Sequence, residues 1–167
     1  MSSPTDLIDE LNLRIIDLLS RDASRPFVEI AKELEISDAT VHMRVRRLMA
    51  SGIIRKFTIS TDDRLLGYSQ VAFMGINVKD DFIEEVTSAL SKFDEVLEVH
   101  EMYGRFDLLL KLRAKSMEEM RNTIANGIRK IPQISGAELM PALKTVKEEH
   151  NIQLSADIEA AVQAATS

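Results

Sequence analysis

The spacing of apolar residues changes at Gly52, and this change limits the folds that the chain can adopt. Before Gly52, apolar residues recur three or four positions apart, which is the spacing of a helix that is buried along one side. After it, they gather in short runs that are rich in β-branched side chains and end at turn residues. A chain of 167 residues can hold two small domains. We therefore expect a helical domain followed by a mixed α+β domain.

Three helices are predicted in the first domain. They cover about 7–20, 27–34 and the segment between Ser37 and Gly52. Asp6 or Asp9 is expected near the start of the first helix, and Pro26 suits the first turn of the second. Ser37 is expected to cap the third helix through its hydroxyl group, and Gly52 fits the left-handed position that ends it. Because a tight turn joins the last two helices, the pattern is a helix-turn-helix.

The segment after Gly52 predicts a wing on this domain. Residues 53–59 are rich in β-forming side chains and precede a turn at 61–63. We expect them to form a strand, which would make the first domain a winged helix-turn-helix. The predicted organisation is a winged helix-turn-helix domain over 1–60, a linker over 61–70, a second domain over 71–150 and a helical tail over 151–167.

The second domain has the pattern strand, helix, strand, strand, helix, strand (βαββαβ). The expected strands cover about 71–78, 96–103, 106–113 and 136–145, and the expected helices about 81–92 and 116–130. This order predicts a ferredoxin-like α+β unit, in which both helices lie on one face of a four-stranded antiparallel sheet.

The first strand of that sheet is apolar on both sides. Ala72, Met74 and Ile76 alternate with Val71 and Phe73, and such a pattern indicates that both faces are buried. Since the helices cover one face, we expect the other to pack against a second subunit in an obligate homodimer. Met74→Asp is expected to give monomeric or insoluble protein.

The end of the chain, 151–167, is expected to form an amphipathic helix. Its apolar positions are Leu154, Ile158, Ala161 and Ala165. This segment is either a frayed tail or an additional contact between subunits.

The charge of the chain is unevenly distributed. The net charge of −6 argues against nucleic-acid binding. The acidic excess, however, lies after residue 60, and residues 37–57 carry five basic side chains against Asp38 alone. Because phosphates respond to the local potential, this basic stripe is compatible with DNA binding.

Several segments resemble the Lrp/AsnC (feast/famine) family of bacterial and archaeal transcription regulators. These segments are 9–12 (Asp-Glu-Leu-Asn), 25–34, 37–54, 104–107 (Gly-Arg-Phe-Asp) and 146–148 (Val-Lys-Glu). They occur in the family's order over about 5–150, and the tail after Asn151 departs from the usual short ending. The resemblance implies a DNA-binding helix-turn-helix, a ligand-sensing second domain, homodimers formed through the sheet, and tetramers or octamers of dimeric units.

The third predicted helix has an outer face that suits double-stranded DNA. With Val41 at the centre of the inner face, the outward and flanking positions are Ala39, Thr40, His42, Met43, Arg46 and Arg47. Arg46 or Arg47 is expected to contact a guanine or a phosphate. The residues expected to contact phosphates are Ser37, Arg25, Arg55 and Lys56. The alternative is a solvated basic face on a surface helix.

The second domain carries residues that suit a small ligand. Gly104 lies between two predicted strands, where a tight turn alone would explain it. Asp107 interrupts the apolar run 106–110, and a carboxylate at that depth needs a partner such as a ligand ammonium group or a backbone N–H. Arg105 either faces solvent or pairs with an acidic effector. The resemblance implies an amino-acid pocket between dimers that is bordered by Met102, Tyr103, Gly104, Arg105, Asp107, Met140, Pro141 and Ala142.

We expect a DNA-binding transcriptional regulator whose assembly or DNA affinity responds to an amino acid. The alternative is an enzyme, because sirohaem decarboxylases resemble the same architecture, and a third possibility is an oligomeric binding module. The basic third helix favours the regulator, since an enzyme has no need of it.

We expect no enzymatic activity, no cofactor and no metal. The sequence carries no catalytic or nucleotide-binding motif, its three histidines lack metal-ligand spacing, and the absence of cysteine excludes thiolate ligands. No apolar run reaches the ~18 residues of a membrane helix. We therefore expect a cytoplasmic protein that associates with the nucleoid.

Overall fold

The structure is a computed structural model that describes residues 7–165, and these residues form two compact units. The first, which we call the head unit, contains the described residues up to Ser60 together with those from Glu149 onward. The second, which we call the sheet unit, is Thr61–Glu148.

Three helices build the head unit in the predicted order. They are α1 (Glu10–Arg21), α2 (Phe27–Glu33) and α3 (Asp38–Ala50). The helix α1 begins later than predicted because Asp9 caps it, accepting the N–H of Asn12 at 2.7 Å. Pro26 is the N-cap residue of α2 and thus precedes its first turn. The fixed backbone angle of proline suits either position.

The cap residues predicted for α3 are confirmed. The Ser37 hydroxyl accepts the N–H of Thr40 at 3.1 Å. Gly52 follows the last cap residue with a φ of 81°, the left-handed conformation that favours glycine. The apolar faces of the three helices meet in a core formed by Ile15, Leu19, Ile30, Ala31, Val41 and Val45. Burial of each larger side chain there contributes roughly 1.5–3 kcal/mol.

The strand predicted over 53–59 does not form, so the expected wing is absent from the described head unit. A wing strand needs a neighbouring strand to pair with its backbone N–H and C=O groups. The chain instead turns tightly after Ser60, where the N–H of Leu65 bonds to the carbonyl of Asp62 at 3.0 Å. Residues 55–60 are exposed and belong to no strand.

The sheet unit has the predicted βαββαβ order. Its elements are β1 (Gln70–Val78), α4 (Ile83–Leu90), β2 (Val96–Glu101), β3 (Leu108–Ala114), α5 (Met117–Asn126), a 3-10 turn (Ile128–Lys130) and β4 (Ile134–Pro141). The strands are antiparallel in the order β2-β3-β1-β4. The helix α5 ends earlier than predicted because Gly127 breaks it, and β4 ends at Pro141, which cannot donate to the ladder.

The alternation along β1 separates a helix-covered face from an open face. Met74 is fully buried in one core with residues of both helices, such as Val86 and Met120. A carboxylate at Met74 would disrupt this core, which would account for the insoluble protein expected of Met74→Asp, so this variant would not test a subunit contact. The open face instead presents Phe73, which is 38% exposed.

The tail forms a helix, α6 (Ser155–Ala165), that packs against α1 of the same chain. The tail is therefore not a frayed segment over 155–165, and an additional contact between subunits stays a prediction. Among residues 7–165, no helix is long and apolar enough to cross a membrane.

Candidate functional sites

The predicted outer face of α3 is exposed in the structure. Ala39, Met43, Arg46 and Arg47 are exposed, Thr40 is half-buried, and Val41 lies in the core. Helical periodicity places the residues in this way because α3 buries only the stripe through Val41, Val45 and Leu48.

The positive charges of Arg46 and Arg47 are not compensated by an ion pair. Within the described part of the chain, no carboxylate pairs with either guanidinium group. Arg44, which contributes to the basic stripe in the sequence, turns inward instead. Its Nη1 donates to the Asp9 carboxylate at 2.6 Å and to the Asn12 side-chain oxygen at 3.0 Å. The free basic surface of α3 is therefore narrower than its composition indicates.

Two further residues of the predicted interface have partners within the head unit. The Arg25 guanidinium pairs with Glu33 and lies 4.0 Å from the Glu29 carboxylate, so its charge is largely compensated. The His42 ring packs edge-on against Phe27 with 4.7 Å between centroids. Ser37 is engaged in its cap. The DNA roles of these residues stay predictions.

Arg55 and Lys56 are exposed on the segment that follows α3. Their phosphate contacts stay a prediction, and no wing strand carries them. Among residues 7–165, no three histidine, cysteine, aspartate or glutamate residues are grouped to hold a metal ion.

The loop between β2 and β3 projects the predicted effector residues into solvent. Tyr103 is fully exposed and Met102 is about half-exposed. Gly104 has a φ of 147°, and a Cβ atom there would meet no atom within 4 Å, so its backbone conformation explains the glycine. Arg105 forms an ion pair with Glu138 at 2.5 Å. The sequence left open solvent or an acidic effector as its surroundings, and this carboxylate of the same chain is a third.

Asp107 meets its need for a partner through the backbone. Its carboxylate accepts the N–H of Val78 at 2.8 Å, and its own N–H bonds to the carbonyl of Ile76 at 3.0 Å. These bonds continue the pairing of β1 with β3 past the end of the ladder. Of the two partners considered from the sequence, the backbone N–H is present, so Asp107 has a structural role whether or not it binds a ligand.

The predicted effector residues fall into two groups along β1. The loop lies beside Ile76, whereas Met140 pairs with Phe73 and the N–H of Ala142 bonds to the carbonyl of Val71. At about 3.3 Å per residue along β1, these positions lie roughly 10 and 17 Å from Ile76. The assignment of both groups to one pocket stays a prediction.

Phe106 covers part of the open sheet face. A Cβ atom on Gly75 would lie only 2.4 Å from the Phe106 ring, so the glycine permits the ring to lie flat on β1. The Arg105 guanidinium stacks over the same ring at 5.0 Å. A glycine inside an apolar strand commonly marks such a close approach, and the sequence prediction missed it.

A network of charges crosses the open face at β3, and the sequence prediction also missed it. Arg113 pairs with Asp63 and, at 2.7 Å, with Glu148. Lys111 pairs with Glu148 and, at 2.9 Å, with Glu98. The network joins the segment before β1 and the segment after β4 to the same strand. The alternation of basic and apolar residues in β3 could have indicated it, but the partners are distant in sequence.

The network shifts the pKa values of its members. The hydrogen bond from Lys111 is the main cause that lowers the pKa of both Glu98 and Glu148, with His100 and Arg113 respectively adding to it. Burial acts to lower the pKa of Lys111, but its hydrogen bonds to the two carboxylates together outweigh burial and raise that pKa. All three groups are therefore held in their charged forms.

Two family models match the chain. The model of the AsnC-type helix-turn-helix domain matches residues 8–49, and that of the Lrp/AsnC ligand binding domain matches residues 71–152. The HTH-type transcriptional regulator FL11 of Pyrococcus abyssi is 41% identical over 141 residues, which cover 84% of this chain and 93% of that protein.

Solved structures show the same fold. The structure of E. coli AsnC is 26% identical, with a TM-score of 0.80, and the match covers 86% of this chain and 97% of that one. A transcriptional regulator of Neisseria meningitidis in complex with L-methionine is 19% identical, with a TM-score of 0.81 and coverage of 89% and 97%.

Acid is expected to weaken the sheet unit through the carboxylates of the network. A carboxylate with a lowered folded-state pKa stabilises the fold above its ordinary value of 4.5, and this contribution is lost as the pH falls through the folded pKa. Glu148→Gln removes one such carboxylate. When the pH is lowered from about 6 to about 4, the free energy of unfolding of this variant should therefore fall less than that of the parent protein. Urea titration at both pH values measures the difference. Glu149→Gln, at an exposed neighbouring carboxylate, is the control, and parallel losses in the parent and Glu148→Gln would contradict the prediction.

Proposed function

Because the chain belongs to the Lrp/AsnC family of transcriptional regulators, we propose that it binds operator DNA through the outer face of α3 and responds to an amino acid held by its sheet unit. DNA binding and a small-molecule ligand domain follow from the family. The effector class, the contacting residues and the link between ligand and assembly are the proposal.

The free arginine pair on α3 carries the DNA-binding part of the proposal. A recognition helix in the major groove offers exposed side chains to base edges and phosphates. Arg46 and Arg47 are exposed on α3, while Arg25 and Arg44 are bound by carboxylates of the head unit. A guanidinium without an internal partner can bind guanine or phosphate at no loss of an existing ion pair.

Arg46→Ala and Arg47→Ala are each expected to weaken operator binding while leaving the helical content unchanged. Loss of a guanine contact should cost about 1–3 kcal/mol and relax specificity at one base pair. Loss of a phosphate contact should weaken binding to all sequences and reduce its salt dependence. Fluorescence anisotropy at several salt concentrations measures both effects. Arg129→Ala, an equal loss of charge at an exposed position of the sheet unit, is the control, and unchanged affinity in both α3 variants would remove α3 from the interface.

Two observations support an amino acid as the effector. The fold neighbour from Neisseria meningitidis was solved in complex with L-methionine. In this chain, Asp107 lies beside an exposed loop that carries apolar side chains, and one of its carboxylate oxygens bonds to Val78. The other oxygen can accept from an ammonium group, and the loop side chains can contact the rest of an amphipathic ligand. Residues of a neighbouring subunit would complete the pocket.

Asp107→Asn separates the structural role of this residue from the ligand role. The amide oxygen can still accept the N–H of Val78, whereas the negative charge that would hold an ammonium group is lost. We expect Asp107→Asn to keep the parent's thermal stability and DNA affinity but to lose the thermal shift caused by the effector. The amino acids are first screened on the parent protein by thermal shift. An equal shift in Asp107→Asn would show that the carboxylate is structural only.

A second copy of this chain is the proposed partner of the open sheet face. Phe73 and Phe106 lie there, and Leu143 and Val146 in the segment after β4 are almost fully exposed. Large apolar side chains exposed on this face and in the segment that follows it favour an interaction site. A homodimer would also give the two-fold symmetry that paired operator half-sites require, and dimeric units could associate further.

Phe73→Asp is expected to convert the dimer into monomer. A carboxylate at the centre of the dimer contact would lose its hydration, and its cross-strand neighbour Lys111 is already bound by Glu98 and Glu148. Phe82→Asp makes the same change at a residue of similar exposure, 41% against 38%, on the helix side of the unit, and should leave the assembly unchanged. Analytical ultracentrifugation compares the two variants with the parent. A dimeric, folded Phe73→Asp protein would place the subunit contact elsewhere.

We propose a regulator and not an enzyme. The free basic face of α3 supports this choice over an enzyme on the same architecture, which would have no use for it. Binding to chromosomal DNA would place the protein on the nucleoid.

A further inference from the structure

The helix α6 lies outside both regions that match the family models. The ligand-domain match ends at residue 152, and the chain then returns to the head unit. The Asn151 side chain donates to the carbonyl of Ser20 at 3.2 Å. Leu154, just before α6, is only 7% exposed. The hydrogen bond of Asn151 and the burial of Leu154 therefore hold this segment in the head unit.

The helix α6 presents small residues towards the start of α1. Ala161 and Ala164 line a cleft of about 580 Å³ together with Leu11, Leu34 and Arg44. Short side chains permit the two helices to approach closely. Arg44, which belongs to the proposed recognition helix α3, therefore lines the same cleft as α6.

Arg44 joins the start of α1 to the middle of α3. It binds both Asp9, the cap of α1, and Asn12, whose side chain also donates to the carbonyl of Leu7 at 2.9 Å. Asn12 is buried, whereas the Arg44 and Asp9 side chains are 25% and 45% exposed. An ion pair this open to water contributes little by itself, so the position of α1 depends also on what packs against that helix.

We propose that α6 is a positioning element for the recognition helix. It packs against α1 close to Asp9 and Arg44 and thereby holds α1 against α3. The exposed face of α3 is left free for DNA. The proposal rests on the proposed function only where it uses DNA affinity to report the position of α3.

The test compares the parent with a chain that ends at residue 152 and with full-length Ala161→Lys. A lysine at 161 would enter the cleft beside Arg44, whereas Ala160→Lys introduces the same side chain at the exposed neighbouring position and is the matched control. Amide hydrogen exchange in α1 and α3 and affinity for operator DNA are measured on all four proteins. We expect exchange in both helices to rise about tenfold in the truncated chain and in Ala161→Lys but not in Ala160→Lys. Operator affinity should fall about threefold to tenfold in the same two proteins.

Parental exchange rates in α1 and α3 of the truncated chain and Ala161→Lys would overturn the proposal. Faster exchange with unchanged operator affinity would also overturn it, because α6 would then stabilise the head unit without positioning α3. If the truncated chain does not fold, Ala161→Lys and its control decide the question. If the parent itself does not retain DNA, the proposed function fails, and the exchange rates alone decide whether α6 holds α1 against α3.

Discussion

The pairing of arginines with carboxylates decides which part of the head unit remains positively charged. Arg14, Arg21, Arg25 and Arg44 each bind an acidic side chain of the same unit. Arg46 and Arg47, on the outer face of α3, have no such partner among the described residues. A chain with a net charge of −6 thus keeps a local basic surface, and the attraction of DNA depends on that surface more than on the net charge.

The fold could largely be predicted because each element carries its own periodicity. The helices α1 and α3 and the strands of the sheet unit follow from apolar spacing and cap residues such as Ser37. The prediction of a wing strand over 53–59 was wrong for a physical reason. A β-forming sequence becomes a strand only where another strand supplies hydrogen-bond partners, and the chain after Ser60 turns instead.

The exposure of the candidate site residues could be predicted only where a single helix determines it. The exposed face of α3 follows from its buried stripe, so Arg46 and Arg47 lie where the sequence placed them. The inward turn of Arg44 depends on Asp9, 35 positions away, and the network around Arg113 depends on Asp63, 50 positions away. Contacts between residues so distant in sequence leave no local pattern. For the same reason, the backbone partner of Asp107 was one of two possibilities until the strand register was known.

The most direct test of sequence-specific DNA binding by a two-fold regulator is selection of bound sequences from a pool of random duplexes. We expect enrichment of a roughly palindromic motif whose half-site centres lie about 10–10.5 bp apart, or a multiple of that distance, because two recognition helices related by a two-fold axis would meet successive major grooves on one side of the duplex. Enrichment should disappear when Arg46 and Arg47 are both replaced by alanine. Recovery of the random pool without any enriched motif by the parent protein would contradict the account.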